Sequence, residues 1–552
     1  MPRRAAFAPY RLTPGALPEE VARTAAAQSA GPLVVSTSDP LPAALVTAAL
    51  AELPVGKAAE GEACRAADGT PSGLSGAPRA CLSSERHHAR VAQAVRGALA
   101  SGFAGVSLDR PDASLAQGLL GAGFCADCQR VFASRLGREY GDQFQPLDFL
   151  ALARDALATA PGALGFEQLP FGREFWRFRH EALQHALRAH ARAARDAARA
   201  AGRWFAVSAW FEALGPAQLE AARHLDAAVF PAGSQAPGPG LFQVLRAVMG
   251  RRPVAVAPPP GTTPDQLLRM ALLGAPFAVG LAGLDAAGEP GSQLGKLRAL
   301  VQEVAARGRS PGAASAVAEC VLLYSPEADL WSAGRHRRAV ELAAEALAAQ
   351  HVQAPVVTSL DETAAKVVVL AGAEGLSPLE AREVRRRLEA GGGVLLFGTA
   401  SAVDGAGRSV GHLLPDGKPT GARVGAGTLA ALPGLEPSRG KPAVIDPGAL
   451  DKALAALLGK GRRAVGVTGR ARLLAALWRE GEAVDVHLVT LGPERAQGNT
   501  LFLGAHLAGA SRKARFQSAE GADVEIRLNP SGASVSTILP AFSGYAVLSL
   551  GG

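Results

Sequence analysis

Along residues 1–312, short apolar runs alternate with longer segments whose apolar positions recur at helical spacing. The runs are Ala5–Ala8, Pro32–Ser36, a weaker one at Leu53–Val55, Ala104–Leu108, Trp204–Trp210, Ala227–Phe230, Pro253–Ala257 and Pro276–Leu281. Continuous apolar runs of this length, bounded by turn residues, read as strands buried on both faces. The helical segments are Glu19–Ala30, Ser84–Ser101, Phe171–Ala201, Ala217–His224, Pro264–Leu273 and Gly291–Ala306. Eight strands alternating with helices over about 300 residues predict an α/β fold, a (β/α)8 TIM barrel.

A stretch rich in Gly, Pro and Ser near Arg307–Ser315 closes this region. Residues 313–460 repeat the α/β pattern on a smaller scale, as an open parallel sheet. Cys320–Tyr324, Lys366–Ala371 and Gly393–Phe397 predict strands; Arg337–Ala349 and Ser377–Ala390 predict helices, the second stopped by Gly391-Gly392-Gly393. Gly425-Ala426-Gly427 is not a nucleotide fingerprint, because no strand-to-helix unit surrounds it. Residues 461–552 carry closely spaced runs at Ala464–Thr468, Arg472–Trp478, Val484–Leu491, Val524–Leu528, Ala533–Ile538 and Tyr545–Leu550. These predict a small antiparallel β-sandwich with a hairpin turn at Gly481. His487, alone on one of its strands, reads as structural.

Composition narrows the function classes. At 552 residues the chain holds two to four domains' worth of core. Hydrophobic residues make up 48% and charged ones 19%, with a mean hydropathy of +0.13, which excludes a disordered chain. The net charge is +8, but only eight of the 57 basic residues are lysine and no block of five or six like charges occurs, so nucleic-acid binding is not expected. Seven arginines on the long Phe171–Ala201 segment (Arg173, Arg177, Arg179, Arg188, Arg192, Arg195 and Arg199) read as a solvated outer face, the alternative being an anion-binding one. Five cysteines are too few for a disulfide scaffold. No apolar run of membrane-spanning length occurs, so no membrane partner is expected. Without a signal-like run before Pro9 the expected location is cytoplasmic, or secreted if translation starts elsewhere.

Candidate chemistry concentrates between Gly102 and Phe132. The run Ala104–Leu108 ends at Asp109, followed by Arg110-Pro111-Asp112. A buried parallel strand that ends this way delivers its carboxylate to the rim of a sheet, where barrel enzymes place their chemistry. Shortly after, Cys125 and Cys128 stand at C-x-x-C spacing before a helical segment. Further rim candidates are Glu212, just past Trp204–Trp210, and Asp285, after the last run. Asp109 and Glu212 could form an acid/base pair. Otherwise Asp109 is a strand-end cap and Glu212 a loop charge. Arg110 beside Asp109 would keep that carboxylate ionised. Trp204, Trp210, Phe211 and Phe230 either stack on a ligand's apolar face or belong to the core.

Three stretches in this order resemble the glycoside hydrolase family 42 β-galactosidases and their barrel relatives. They are Ala80-Cys81-Leu82 through Gly102–Asp109, Phe124–Phe132 and Leu136–Gly141; Val367–Leu370 through Leu376–Phe397; and Val486–Val489 with Tyr545–Leu548. The resemblance implies a barrel over 1–312, a glutamine-amidotransferase-like trimerisation domain over 313–460 and a sandwich over 461–552. No cysteine follows Cys320, so amidotransferase chemistry is excluded there. It implies a carbohydrate partner, a homo-oligomer that is trimeric, and no cofactor for catalysis. It also implies a structural zinc held by Cys81, Cys125 and Cys128, with Cys64 to complete four ligands; the family's extra cysteine position is Gly123 here. Retaining glycosidases need two carboxyl groups about 5 Å apart. In the relatives these close the fourth and seventh strands. Here the fourth reads Asp109-Arg110 and the seventh runs into Pro258-Pro259-Pro260, so both positions depart from the pattern. Two functions follow: a glycosidase using Asp109 and Glu212, with Arg110, Asp112, Trp210 and Asp285 binding substrate, or an inactive relative that binds a glycan or serves an assembly.

Overall fold

The computed structural model describes residues 10–12, 33–36, 49–73, 78–115, 119–141, 148–159, 168–233, 237–282, 293–306, 315–361, 363–404, 407–412, 422–435, 445–459, 463–492, 494–509 and 511–551. The chain divides into two compact units, one of Ala8–Gly233 with Ala255–Pro259, the other formed mainly by Ser234–Val254 and Pro260–Gly552.

The first unit is built on a parallel sheet. Strands β1 (Tyr10–Leu12), β2 (Leu33–Ser36), β3 (Ala49–Leu53), β4 (Gly105–Asp109), β5 (Ala206–Trp210) and β6 (Ala227–Pro231) pair in chain order, each parallel to the last. β7 (Val254–Ala257) follows, and Ala232 N–H donates to the Ala257 carbonyl at 2.9 Å. Every residue of β4 is buried, as the unbroken apolar run requires of a strand covered on both faces. Between the strands lie α1 (Glu85–Ala100), α2 (Ala126–Tyr140), α3 (Phe149–Thr159), α4 (Gly172–Ala200) and α5 (Pro216–Ala222). Ser84 caps α1 through the His87 N–H, as its side chain and position predict.

Most of the expected strands and helices fall within a few residues of their predicted places. Ala5–Ala8 and Glu19–Ala30 lie outside the described residues, and of the expected strand Pro276–Leu281 only Gly280–Leu281 is a strand, Ala275–Phe277 being a turn of 3-10 helix. The sequence pattern did not single out α3, the helices Pro239–Met249 and Pro447–Leu458 or the strands Thr500–Gly504 and Lys513–Ser518. Along α4 the arginines divide. Arg177 pairs with Glu181, Arg195 with Asp226 and Arg199 with Asp196 on the outer side, whereas Arg179 is buried. Phe124, Phe132, Phe149, Phe175 and Phe178 pack into one aromatic knot, with ring centroids of Phe149 and Phe175 4.7 Å apart.

In the second unit, Val321–Leu323, Val367–Leu376, Gly393–Val403 and Gly427–Leu432 form a parallel core. The sheet is not parallel throughout: Ser409–His412 and Ala422–Val424 join it antiparallel, the latter through the turn at Gly425. Cys320 is fully buried and its thiol is pushed up to about 12 by burial, so it offers no nucleophile. Two antiparallel sheets of four and six strands follow and share a core of Val465, Leu501, Val535, Leu477, Val486, Phe516 and Leu548. Ser315–Ala316 supplies the edge strand of the larger sheet by pairing with Trp478 and Arg479. His487 is buried there, 2.6 Å from the Tyr545 hydroxyl, which fits a structural role. No helix among the described residues is long and apolar enough to cross a membrane.

Candidate functional site

Asp109 closes β4 at the C-terminal edge of the parallel sheet and pairs in register with Trp210 of β5. Glu212 stands two residues beyond Trp210, so the two carboxylates leave adjacent strands at the same edge. Arg110 turns the chain at once, adopting φ +47 with its N–H donated to the Trp210 carbonyl at 2.8 Å. A left-handed conformation in a side-chain-bearing residue is uncommon and marks a chain held by its surroundings. Its guanidinium lies 3.9 Å from Asp109 and is half exposed, so the ion pair expected between them is weak.

Asp112 is fully buried and faces inward. Its carboxylate accepts the N–H groups of Glu212 and Ala213 at 2.8 and 2.9 Å and the Gln218 side-chain amide at 2.9 Å. Burial pushes its pKa up to about 6 against the pull of those hydrogen bonds. The sequence placed Asp112 among ligand-binding residues; in the structure it fastens the loop that carries Glu212. Asp112→Ala should cost about 2 kcal/mol, the order expected when buried donors lose their acceptor. Urea unfolding checks this; an unchanged midpoint would show that the loop does not depend on it.

Arg79 is the residue that sequence reasoning missed. Its guanidinium is buried and meets Glu212 at 3.3 Å across 133 positions of sequence. Arg79 Nε and Glu212 Oε2 are buried and make no hydrogen bond among the described residues, which leaves polar capacity in the site. Arg79 comes from the long connection after β3. That connection is stitched to the β4 end by Gly56, whose N–H donates to the Asp109 carbonyl at 3.0 Å and whose carbonyl accepts from Ala80 at 3.1 Å. A Cβ on Gly56 would lie 2.3 Å from the Arg110 carbonyl oxygen, so only glycine permits this approach. Trp210 is half-buried at the rim. Phe211 and Phe230 stack on each other in the core at 5.0 Å, and Trp204 is exposed before β5 begins, so three of the four aromatics are not at the site. Asp285 lies outside the described residues.

The same connection carries Cys64 and Cys81, which meet Cys125 and Cys128 at the start of α2. All four sulfurs lie within 4.8 Å of one another and all four residues are buried. Cys81 Sγ is 3.2 Å from Cys125 Sγ and 3.4 Å from Cys128 Sγ. A tetrahedral zinc with Zn–S bonds of about 2.3 Å places its sulfurs within this range, so these residues could hold one. Hydrogen bonds from Cys125, then Cys128 and Cys81, hold the Cys64 thiol well below the usual thiol range. Gly123 N–H donates to Cys64 Sγ at 3.1 Å with φ +97, and a Cβ there would meet Phe175 Cζ at 2.8 Å. Gly123 thus serves as a backbone donor to a cysteine of the cluster. Arg179 spans the Leu119 and Ser114 carbonyls at 2.9 and 3.0 Å, and its positive charge lies near Cys64 and Cys128. Its place on an arginine-rich helix gave no local signal of this.

No protein-family model matches the sequence, and no curated protein matches it. Solved structures do. The β-galactosidase of Halorubrum lacusprofundi superposes with a TM-score of 0.62 at 15% identity, over 99% of this chain and 98% of that one. Gan42B of G. stearothermophilus, a GH42 β-galactosidase, gives 0.59 at 12% in its catalytic-mutant form, over 99% and 94%. The chain has the fold of the family 42 β-galactosidases. A Paenibacillus thiaminolyticus α-L-fucosidase also matches, with a TM-score of 0.56 at 13% identity over 98% and 99%, so the family 42 fold by itself does not select a sugar.

Proposed function

We propose that the protein binds a carbohydrate at the C-terminal edge of its parallel strands, in a (β/α)8 barrel of glycosidase type, and does not hydrolyse it. One observation carries this reading. Where the relatives' fourth and seventh strands would supply the two catalytic carboxyl groups, this chain has Asp109-Arg110-Pro111 and Ala257-Pro258-Pro259. Asp109 and Glu212 then accept hydrogen bonds from a sugar's hydroxyls, half-exposed Arg110 donates to it, and Trp210 offers it a ring face. The second reading, hydrolysis by Asp109 and Glu212, is favoured by their leaving adjacent strands. A homo-oligomer, trimeric by resemblance, belongs to either. We also propose that Cys64, Cys81, Cys125 and Cys128 hold a zinc ion. Four thiolates close its coordination and leave no position for water or substrate, so its contribution is structural.

Aryl β- and α-glycosides incubated with the wild type, Asp109→Asn and Glu212→Gln test both readings. No turnover, together with glycan binding that Glu212→Gln weakens, is the expected result. Turnover in the wild type that Asp109→Asn abolishes would replace the binder with the hydrolase.

A further inference from the structure

The cysteine cluster and the Arg79–Glu212 pair are joined by a short backbone relay. Cys64 N–H donates to the Arg79 carbonyl at 2.8 Å; Ser72 N–H donates to the Cys64 carbonyl at 2.8 Å; Arg79 N–H donates to the Ser72 carbonyl at 2.8 Å. Cys64, Ser72 and Arg79 thus form a closed ring of three main-chain bonds, with the bridge Ala63–Ala80 beside it. Cys81 lies two residues past Arg79, and its N–H is donated to the Glu62 carbonyl at 2.8 Å. Arg79 is therefore enclosed between two cysteines of the cluster in sequence and tied to one of them in space.

The connection lies between β3 and α1 and forms no strand among its described residues. It pairs with itself through isolated bridges at Lys57–Arg79, Ala63–Ala80 and Arg65–Pro71 and through Ala58 N–H to the Pro78 carbonyl at 3.0 Å, and Arg90 of α1 reaches Glu62 and the Lys57 carbonyl. Loop segments with few ladder bonds open at low free energy unless they are pinned. The pins nearest Arg79's relay are the four sulfurs, supported by Ala67 N–H to the Leu120 carbonyl at 2.9 Å and Phe124 N–H to the Arg65 carbonyl at 3.0 Å. Both of these join the connection to the segment that delivers Cys125.

We propose that metal at the four-cysteine centre governs the candidate site by fixing Arg79 against Glu212 through the Cys64–Ser72–Arg79 relay. Arg79 is a positioning target here, and Cys64 the residue that positions it. With the sulfurs bound to one ion, the relay is closed and the guanidinium is presented to Glu212. With the sulfurs unbound, four buried thiols crowd one another, the connection opens, and Arg79 leaves. The inference rests on the reading that this edge is the binding site and that the centre takes zinc, but the position of Arg79 is measured without any glycan, so failure of glycan binding leaves it standing.

The test uses the full chain with zinc alone as probe. Native mass spectrometry should count one zinc per chain. Hydrogen exchange should show the Cys64, Ser72 and Arg79 amides protected together in the zinc-loaded protein and exchanging at least about tenfold faster after chelation, as expected for one locally opening unit. The β5 amides of Val207–Ala209 should not change. Phenylglyoxal should modify Arg79 only after chelation, and zinc restored before the reagent is added should return both the amide protection and the shielding of Arg79. Ser72→Pro, which removes one relay donor and no cysteine, should keep the zinc and release Arg79. No bound zinc, protection of Arg79 unchanged by chelation, or an Arg79 still shielded in Ser72→Pro would each overturn the proposal.

Discussion

Replacing Cys125 or Cys128 by serine is expected to abolish stoichiometric zinc binding and to destabilise the first unit by about 3–5 kcal/mol, the upper range for single substitutions. A weak oxygen would replace a thiolate in a site whose binding free energy is folding free energy. Around the four sulfurs stand Phe124, Phe132 and Phe175, so the remaining thiols cannot be rehydrated without opening the aromatic knot. Arg179 would lose the anionic partner that offsets its burial, because a zinc with four thiolates carries a net negative charge. Zinc content by atomic emission and thermal unfolding, with and without a chelator, check this. A wild type that holds no zinc and melts at the same temperature in chelator would refute it. Cys320→Ser is the internal control, since Cys320 lies outside the cluster.

Acidification from pH 7 to pH 5 is expected to cost the first unit about 2 kcal/mol for each strongly buried histidine, a window in which Asp112 is the carboxylate that also titrates. His87, His88 and His190 face one another between α1 and α4, with ring centroids 5.2–5.8 Å apart. Glu62 lies 3.6 Å and Arg90 3.2 Å from His87 Nδ1. Burial, then the charges of His88 and Arg90, lower His87 to about 4 against the opposing pull of Glu62. Burial lowers His190 well below its ordinary value, and lowers His180 to about 4. A histidine at 6.5 when unfolded and about 4 when folded binds protons more readily in the unfolded chain. Its contribution is therefore complete above pH 6.5, falls as pH drops through that value, and is fully lost near pH 4. Urea unfolding at pH 7, 6 and 5 reads the slope. His190→Leu should make it shallower by one histidine's share, whereas a flat wild-type profile would mean that these rings are hydrated or already charged.

Local features of the chain were enough for many of its elements, though not for Phe149–Thr159 or Pro239–Met249. The run ending at Asp109 folds as β4 because a strand covered on both faces needs only local apolar content to declare itself. The cap at Ser84, the stop at Gly391 and the hairpin at Gly481 are likewise properties of a few adjacent residues. The C-x-x-C pair was legible for the same reason: two ligands one turn apart need no tertiary information.

The sequence alone therefore determined most of the succession of strands and helices, the residues that end β4 and β7, and the resemblance to a family whose fold solved structures share. Tertiary structure alone decided which charges meet. Arg79 reaches Glu212 across 133 positions, Cys64 and Cys81 reach the C-x-x-C pair across 44 to 64, and Asp112 turns inward to hold a loop 100 residues away. Side-chain pattern encodes which face of an element is buried, but the partner found there depends on how distant connections cross, and no local period records that.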